Sequence, residues 1–242
     1  NENALTAVSL AFPIQNLMIA IAVGTGVGIN ALLSRNLGEK DYRGVNNTAN
    51  NGIFLGLLSY AVFLIFGITL TKLYFTTQTS DPQIIEYGIS YLRIISIGSI
   101  GIFIQIIFER LLQSTGKTIY TMITQGIGAI INIILDPILI FGYLGFPRMG
   151  VAGAAVATII GQIVAATLAI IYNHKVNKEV TIKIKGFRPR LKTIKSIYFV
   201  GIPSILMMSI TSVTTYGINN ILIKFSATAT AIFGIYFKLQ SF

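Results

Sequence analysis

Six apolar stretches, each long enough to cross a lipid bilayer as a helix, follow one another between Ala4 and Ile223, and a seventh begins near Ala229. They cover about residues 4–33, 53–73, 84–112, 119–143, 151–172 and 197–223. A bilayer core of roughly 30 Å takes about 20 mostly apolar residues per helical span. The residues left over cannot coat a globule in water: 11% of the chain is charged, where soluble domains carry about 25%. Hydrophobic residues make up 53% of the chain and its mean hydropathy is +0.74. The fold class predicted is therefore an all-α membrane protein, a polytopic helical bundle.

Polar punctuation divides the spans. SRNLGEKDYRG, TTQTSDPQ and GFPRMG read as turns, with Asp81-Pro82 a helix start. Residues 173–195 hold Lys175, Lys178, Lys183, Lys185, Arg188, Arg190, Lys192 and Lys195 against Glu179 alone. Alternate loops share a side of the membrane. One set contains this segment, Lys117, and Arg35, Lys40 and Arg43; the other contains Lys72, Arg148 and Lys224. Lys and Arg accumulate on the cytoplasmic side, so the basic segment is expected there, in a bacterial plasma membrane. The net charge of +10 is thus topological, and no nucleic-acid partner is expected. Cysteine is absent, which removes disulfides, thiolate metal sites and a Cys nucleophile. Tryptophan is absent too, leaving Tyr for any interfacial aromatic belt. A chain opening Asn1-Glu2-Asn3 and closing on Phe242 inside an apolar run is expected to be part of a longer protein.

The segments ALTAVSLAFPIQNL and ATAIFGIYFKLQSF superpose at an offset of 225, pairing Ile14 with Leu239 and Gln15 with Gln240. Six spans separate them, so both cross in the same direction. This is the pattern of parallel six-helix repeats, with the basic segment joining two halves.

Asp136 is the residue most in need of a reason. It lies about 19 residues, roughly 28 Å, along its span. An ionisable group there costs at least about 2.5 kcal/mol and faces the bundle interior or a wet cavity. Asn132 is one turn earlier on the same face, and Pro137 leaves the Ile133 carbonyl without its helical donor. Carboxylate, amide oxygen and freed carbonyl form a candidate cluster of hard oxygen ligands for Na⁺, or a protonation site; an Asp that only bonds a neighbouring helix is the plainer account. Adjacent Glu109 and Arg110 do not face each other. They are expected to pair with other helices or to snorkel to the interface. Gln105, Gln125 and Gln162 read as glue between helices, with Glu109, Gln125 and Gln162 as possible polar lining. The glycines of GTGVG, together with Gly126, Gly128, Gly150 and Gly153, are read as sites of close helix packing, because no strand precedes them as a phosphate loop would require. His174, the one histidine, is expected to be solvated in the basic segment. No catalytic constellation is present, so no enzyme is expected.

The run ERLLQSTGKTIYTMITQGIGAIINIILDPILIFG, followed by GVAGAAVATIIGQ, resembles the multidrug and toxic compound extrusion family, in particular its Firmicutes-type multidrug exporters. ALTAVSLAFPIQNL, SRNLGEKD and VGIPSILMMSI fit the same pattern. The resemblance implies a twelve-helix transporter of two lobes. This chain would hold helices two to six in residues 1–172, a linker in 173–195, and helix seven with the start of helix eight in 196–242. It implies exchange of Na⁺ or H⁺ for lipophilic, often cationic drugs, no cofactor beyond that coupling ion, and a monomer. It also implies a cation site on Asn132 and Asp136 of helix five with Thr158 of helix six, a metal site if the ion is Na⁺. The family's acidic residue on helix one has no counterpart here. A lipid or lipid-linked oligosaccharide flippase is the alternative, although only Arg93, Arg110 and Lys238 could hold phosphate within the spans.

Overall fold

The computed structural model describes residues 2–182 and 187–241. Asn1, Lys183, Lys185 and Phe242 lie outside the described residues, as do the side chains of Lys238 and Gln240. Within them every regular element is helical: α1 (Glu2–Gly38), α2 (Tyr42–Thr69), α3 (Thr71–Gln78), α4 (Pro82–Ile97), α5 (Ile100–Ser114), α6 (Thr118–Phe141), α7 (Val151–Val176), α8 (Leu191–Phe225) and α9 (Ala227–Ser241). Five of these, α1, α2, α6, α7 and α8, are each long and apolar enough to span a membrane. The pair α4–α5, bent by 42° at its junction, passes the same test when its two helices are taken together, which gives five to six spans.

Local chemistry sets the ends. The Asp41 carboxylate caps α2 by accepting from the Gly44 N–H at 2.9 Å. Asp81 caps α4 through Gln83 N–H at 2.8 Å, with Pro82 in the first turn, where its missing N–H costs nothing. Gly142, in the left-handed region at φ +78°, ends α6.

Three boundaries differ from the sequence reading. The 84–112 span is two helices rather than one. It breaks at Gly98-Ser99, where the Ser99 hydroxyl bonds the Ser96 carbonyl at 2.7 Å, a Gly/Ser kink that needs no proline. The TTQTSDPQ turn is shorter than expected, because Thr76, Thr77 and Gln78 belong to α3. That helix is held by Phe75, fully buried against Gly88, and by the Thr71 hydroxyl bonding the Gly67 carbonyl at 2.9 Å. His174 and Lys175 are exposed as expected, yet they form the last turn of α7, where positive charge suits the helix dipole.

Helix α1 is the spine, packing on α2, α4, α5, α8 and α9, while α7 packs on α5 and α6. One apolar cluster gathers Leu10, Met18, Phe63, Phe75, Leu92 and Phe103; a second, nearer the basic segment, gathers Ile29, Leu33, Val45, Leu55, Ile107 and Ile197. The α1–α8 seam depends on missing side chains. A Cβ on Gly28 would collide with the Ile197 carbonyl, and one on Gly24 with Ile205. Small residues allow this approach in lipid, where backbone packing replaces the hydrophobic drive between helices. Two expected packing glycines play no such part: Gly126 and Gly150 meet nothing within 4 Å, so Gly126 faces open space and Gly150, at φ +55°, makes the turn into α7.

The connector between α7 and α8 is strapped to the end of the bundle. Asn46 accepts from the Thr181 N–H at 2.7 Å and Asn50 donates to the Thr181 carbonyl at 3.3 Å. Asn51 accepts from the Arg190 N–H at 2.9 Å, and the buried Asn177 donates to the Leu111 carbonyl at 3.2 Å. The Lys117 ammonium donates to Glu179 at 2.6 Å and holds that carboxyl below its usual range.

Candidate functional site

The expected site residues fall on three adjoining helices. On α6, Gly128 and Asn132 share one face; on α7, Thr158 and Gly161 share the face opposite. The two helices close on each other where both lack side chains, for a Cβ on Gly161 would stand 2.7 Å from the Gly128 carbonyl oxygen. That approach brings the Asn132 amide to the Thr158 hydroxyl at 3.4 Å. The hydroxyl donates in turn to the Ala154 carbonyl at 2.9 Å, so Thr158 presents a lone pair to the amide.

Asn132 and Thr158 line a cavity of about 380 Å³ together with Glu109, Gln125 and Gln162. Its remaining walls include Gln105 and Arg110 of α5 and the apolar Ile19, Val23, Ile102 and Ile106. Asp136 is not among the lining residues. It stands one turn beyond Asn132, half-buried with its Oδ1 atom shielded from solvent, and within electrostatic range of Tyr91 on α4. The Tyr91 hydroxyl donates to Gln15 of α1 at 3.4 Å. The structure therefore gathers five of the six expected residues around one cavity and sets Asp136 beside a separate polar group.

Of the two alternatives for Glu109, pairing with another helix or snorkelling to the interface, the structure takes the first. Its side chain is 3% exposed. Oε1 accepts from the Gln105 amide at 3.0 Å and Oε2 from the Gln125 amide at 2.8 Å. The Thr124 hydroxyl lies 2.9 Å from Oε1 and 2.8 Å from the Thr121 carbonyl, one proton serving both. A buried carboxylate is tolerable when its oxygens are bonded this way. Arg110 turns the other way along α5, its Nη1 donating to Gln113 at 2.7 Å, and its stem crosses α1 at Gly26, where a Cβ would stand 2.8 Å from its Cγ.

Sequence reading gave Gln105 only a packing role and passed over Gln15, Tyr91 and Thr124. The Gln105–Glu109 contact was within reach, being an i, i+4 pair on one helix face. The Thr124 and Tyr91 contacts depend on how α6 and α4 are placed and leave no local trace.

A membrane-embedded helical bundle with a half-apolar cavity, a buried carboxylate and paired polar groups between helices defines a transporter body. The comparisons agree. The MatE family signature matches residues 1–138. The multidrug export protein MepA of Staphylococcus haemolyticus is 30% identical over the whole chain, which corresponds to 53% of its own length. A solved inward-facing multidrug resistance MATE family transporter superposes with a TM-score of 0.88 at 28% identity, over 97% of this chain and 53% of that one. The MATE multidrug transporter DinF-BH, solved in complex with a ligand, gives 0.89 at 28% identity, over 97% of this chain and 52% of that one. This chain belongs to the multidrug and toxic compound extrusion (MatE) family, a family of membrane transporters rather than enzymes. It spans about half the length of the relatives it matches.

Proposed function

We propose that this chain forms the first lobe, the linker and the opening of the second lobe of a secondary multidrug exporter, divided at residues 1–172, 173–195 and 196–242. The exporter exchanges Na⁺ or H⁺ for lipophilic cationic drugs by alternating access. The observation that carries the reading is the Asn132–Thr158 contact at 3.4 Å, made at the wall of a cavity that also holds a buried carboxylate. The family membership and the multidrug export by which the relatives are named support the same reading.

In this mechanism the cation engages Asp136, Asn132 and Thr158, where carboxylate, amide and hydroxyl oxygens offer hard ligands suited to Na⁺ or an acceptor for a proton. The drug occupies the cavity beside them. Its apolar part lies against Ile19, Val23, Ile102 and Ile106, and its positive centre faces Glu109, with Gln125 and Gln162 bonding polar edges. Cation binding biases the lobes toward one orientation, and the coupling is no larger than the cation's differential affinity for the two states. The basic segment lies on the cytoplasmic side of the plasma membrane, and the transporter works as a monomer. A flippase would want several basic side chains toward the lumen; among the described residues that line the cavity, Arg110 is alone.

The test is Asp136→Asn in the full-length protein. Drug resistance and cation-driven dye efflux from vesicles are expected to vanish while membrane expression is unchanged. Undiminished efflux would overturn the assignment of Asp136.

A further inference from the structure

We infer that the groove between the end of α1 and the start of α8 binds the headgroup of an anionic phospholipid. This cavity, of about 500 Å³, is distinct from the one lined by Asn132 and Glu109. Its walls are layered. Arg35, Lys195 and Ser196 form the outer layer; Leu32, Phe199 and Val200 form the inner one. The layering follows from helix geometry. Leu32 precedes Arg35 by three residues on α1, and Phe199 follows Lys195 by four on α8, so each apolar residue shares a face with its cation. Helix α1 ends where α8 begins, so on both helices the cation is nearer the end of the bundle. The apolar residue lies about one turn, roughly 5.4 Å, deeper. A phosphate above and an acyl chain below have the same spacing.

Charge favours an anion here. The Arg35–Glu39 pair uses only Arg35 Nε, at 2.9 Å, and both side chains are largely exposed, at 73% and 55%. The two Nη groups of a guanidinium remain to fork onto a phosphate. Lys195 has no hydrogen-bond or ion-pair partner among the described residues, and Arg190 and Lys192 are close by in sequence and add to the potential. Basic pockets between membrane helices, next to apolar walls, recognise anionic headgroups. The apolar layer asks for hydrocarbon: Phe199 is 84% exposed. A zwitterionic headgroup would bring its own cation against Arg35 and Lys195, so the site selects phosphatidylglycerol over phosphatidylcholine. The inference rests on the membrane fold and not on the proposed export.

Native mass spectrometry of the delipidated full-length protein tests it, titrated with phosphatidylglycerol or with phosphatidylcholine of the same acyl chains. Phosphatidylglycerol is expected to bind more tightly by about tenfold or more, and Arg35→Gln/Lys195→Gln to remove that preference. Lys72→Gln/Arg148→Gln, away from this groove, is expected to keep it, and inorganic phosphate is expected to leave the bound lipid in place. Retained melting temperature in each variant shows that the fold is intact. Equal binding of the two lipids, an unchanged preference in the Arg35/Lys195 variant, an equal loss in the Lys72/Arg148 variant, or displacement by free phosphate would each overturn the inference. So would wild-type protein that binds no phosphatidylglycerol, since another part of the protein would then fill the groove.

Discussion

At the residue scale the cavity's character turns on Glu109. A carboxylate at 3% exposure would be hard to keep in a membrane span without the amides of Gln105 and Gln125. Those amides hold its position, and in the proposed mechanism its charge faces the positive centre of the drug. Glu109→Gln keeps the volume and removes the charge. Binding of a cationic dye, followed by fluorescence polarisation, is expected to weaken by about tenfold or more, because a charge-assisted contact contributes about 1.5–3 kcal/mol. Binding of a neutral dye of similar size is expected to change little. Glu109→Leu strands two amide donors as well, at about 1–3 kcal/mol each, and a thermal shift assay should separate that stability loss from the purely electrostatic effect of Gln. Asp136, with its shielded Oδ1 and its neighbour Tyr91, is a different kind of residue. Its carboxyl lies outside the cavity lining, one turn beyond Asn132, which is part of it.

At the scale of elements, the α6–α7 pair is the unit that builds the site. Gly128 and Gly161 allow the backbones to meet, and the Asn132–Thr158 contact follows from their approach. Gly161→Val inserts a branched side chain against the Gly128 carbonyl. The two helices must then separate, at about 1–3 kcal/mol for an overpacked contact. The expected outcome is a lowered melting temperature together with loss of cation-dependent transport, while Gly126→Ala, which faces open space, is silent in both measurements. The α4–α5 kink acts on the same site, since it sets the direction in which α5 carries Gln105 and Glu109. A straight helix from Ile84 to Leu112, as the hydropathy profile predicts, would aim these residues differently.

At the scale of the whole molecule, the connector between α7 and α8 is held against α2 at both of its described ends. Asn46 and Asn50 grip Thr181 and Asn51 holds Arg190, all from the first turns of α2, and α8 then runs back along α1 through the Gly24 and Gly28 seam. These contacts tie both described ends of the connector to α2. Its side of the membrane is open to direct test because the chain contains no cysteine. Arg188→Cys, in the full-length protein with any cysteine beyond these 242 residues replaced by Ser, introduces one reactive thiol. A membrane-impermeant maleimide is expected to label it in inside-out vesicles and not in intact cells, and labelling of intact cells would reverse the proposed orientation.

The sequence by itself determined the spans, the family and the residues worth watching. Membrane insertion depends on local sums of hydropathy, and a carboxylate such as Asp136 stands out in any apolar run. Tertiary structure decided which of those residues meet. It chose, for Glu109, pairing with another helix over the interface, set Asp136 apart from the cavity lining, and broke the third span at Gly98-Ser99. The break is a local Gly/Ser kink that a hydropathy profile does not register, whereas the placing of Glu109 and Asp136 depends on the distance and angle between helices, set in part by the backbone contact of Gly128 with Gly161. Glycine has no side chain to announce what it will touch, so its partner is settled only when the helices pack.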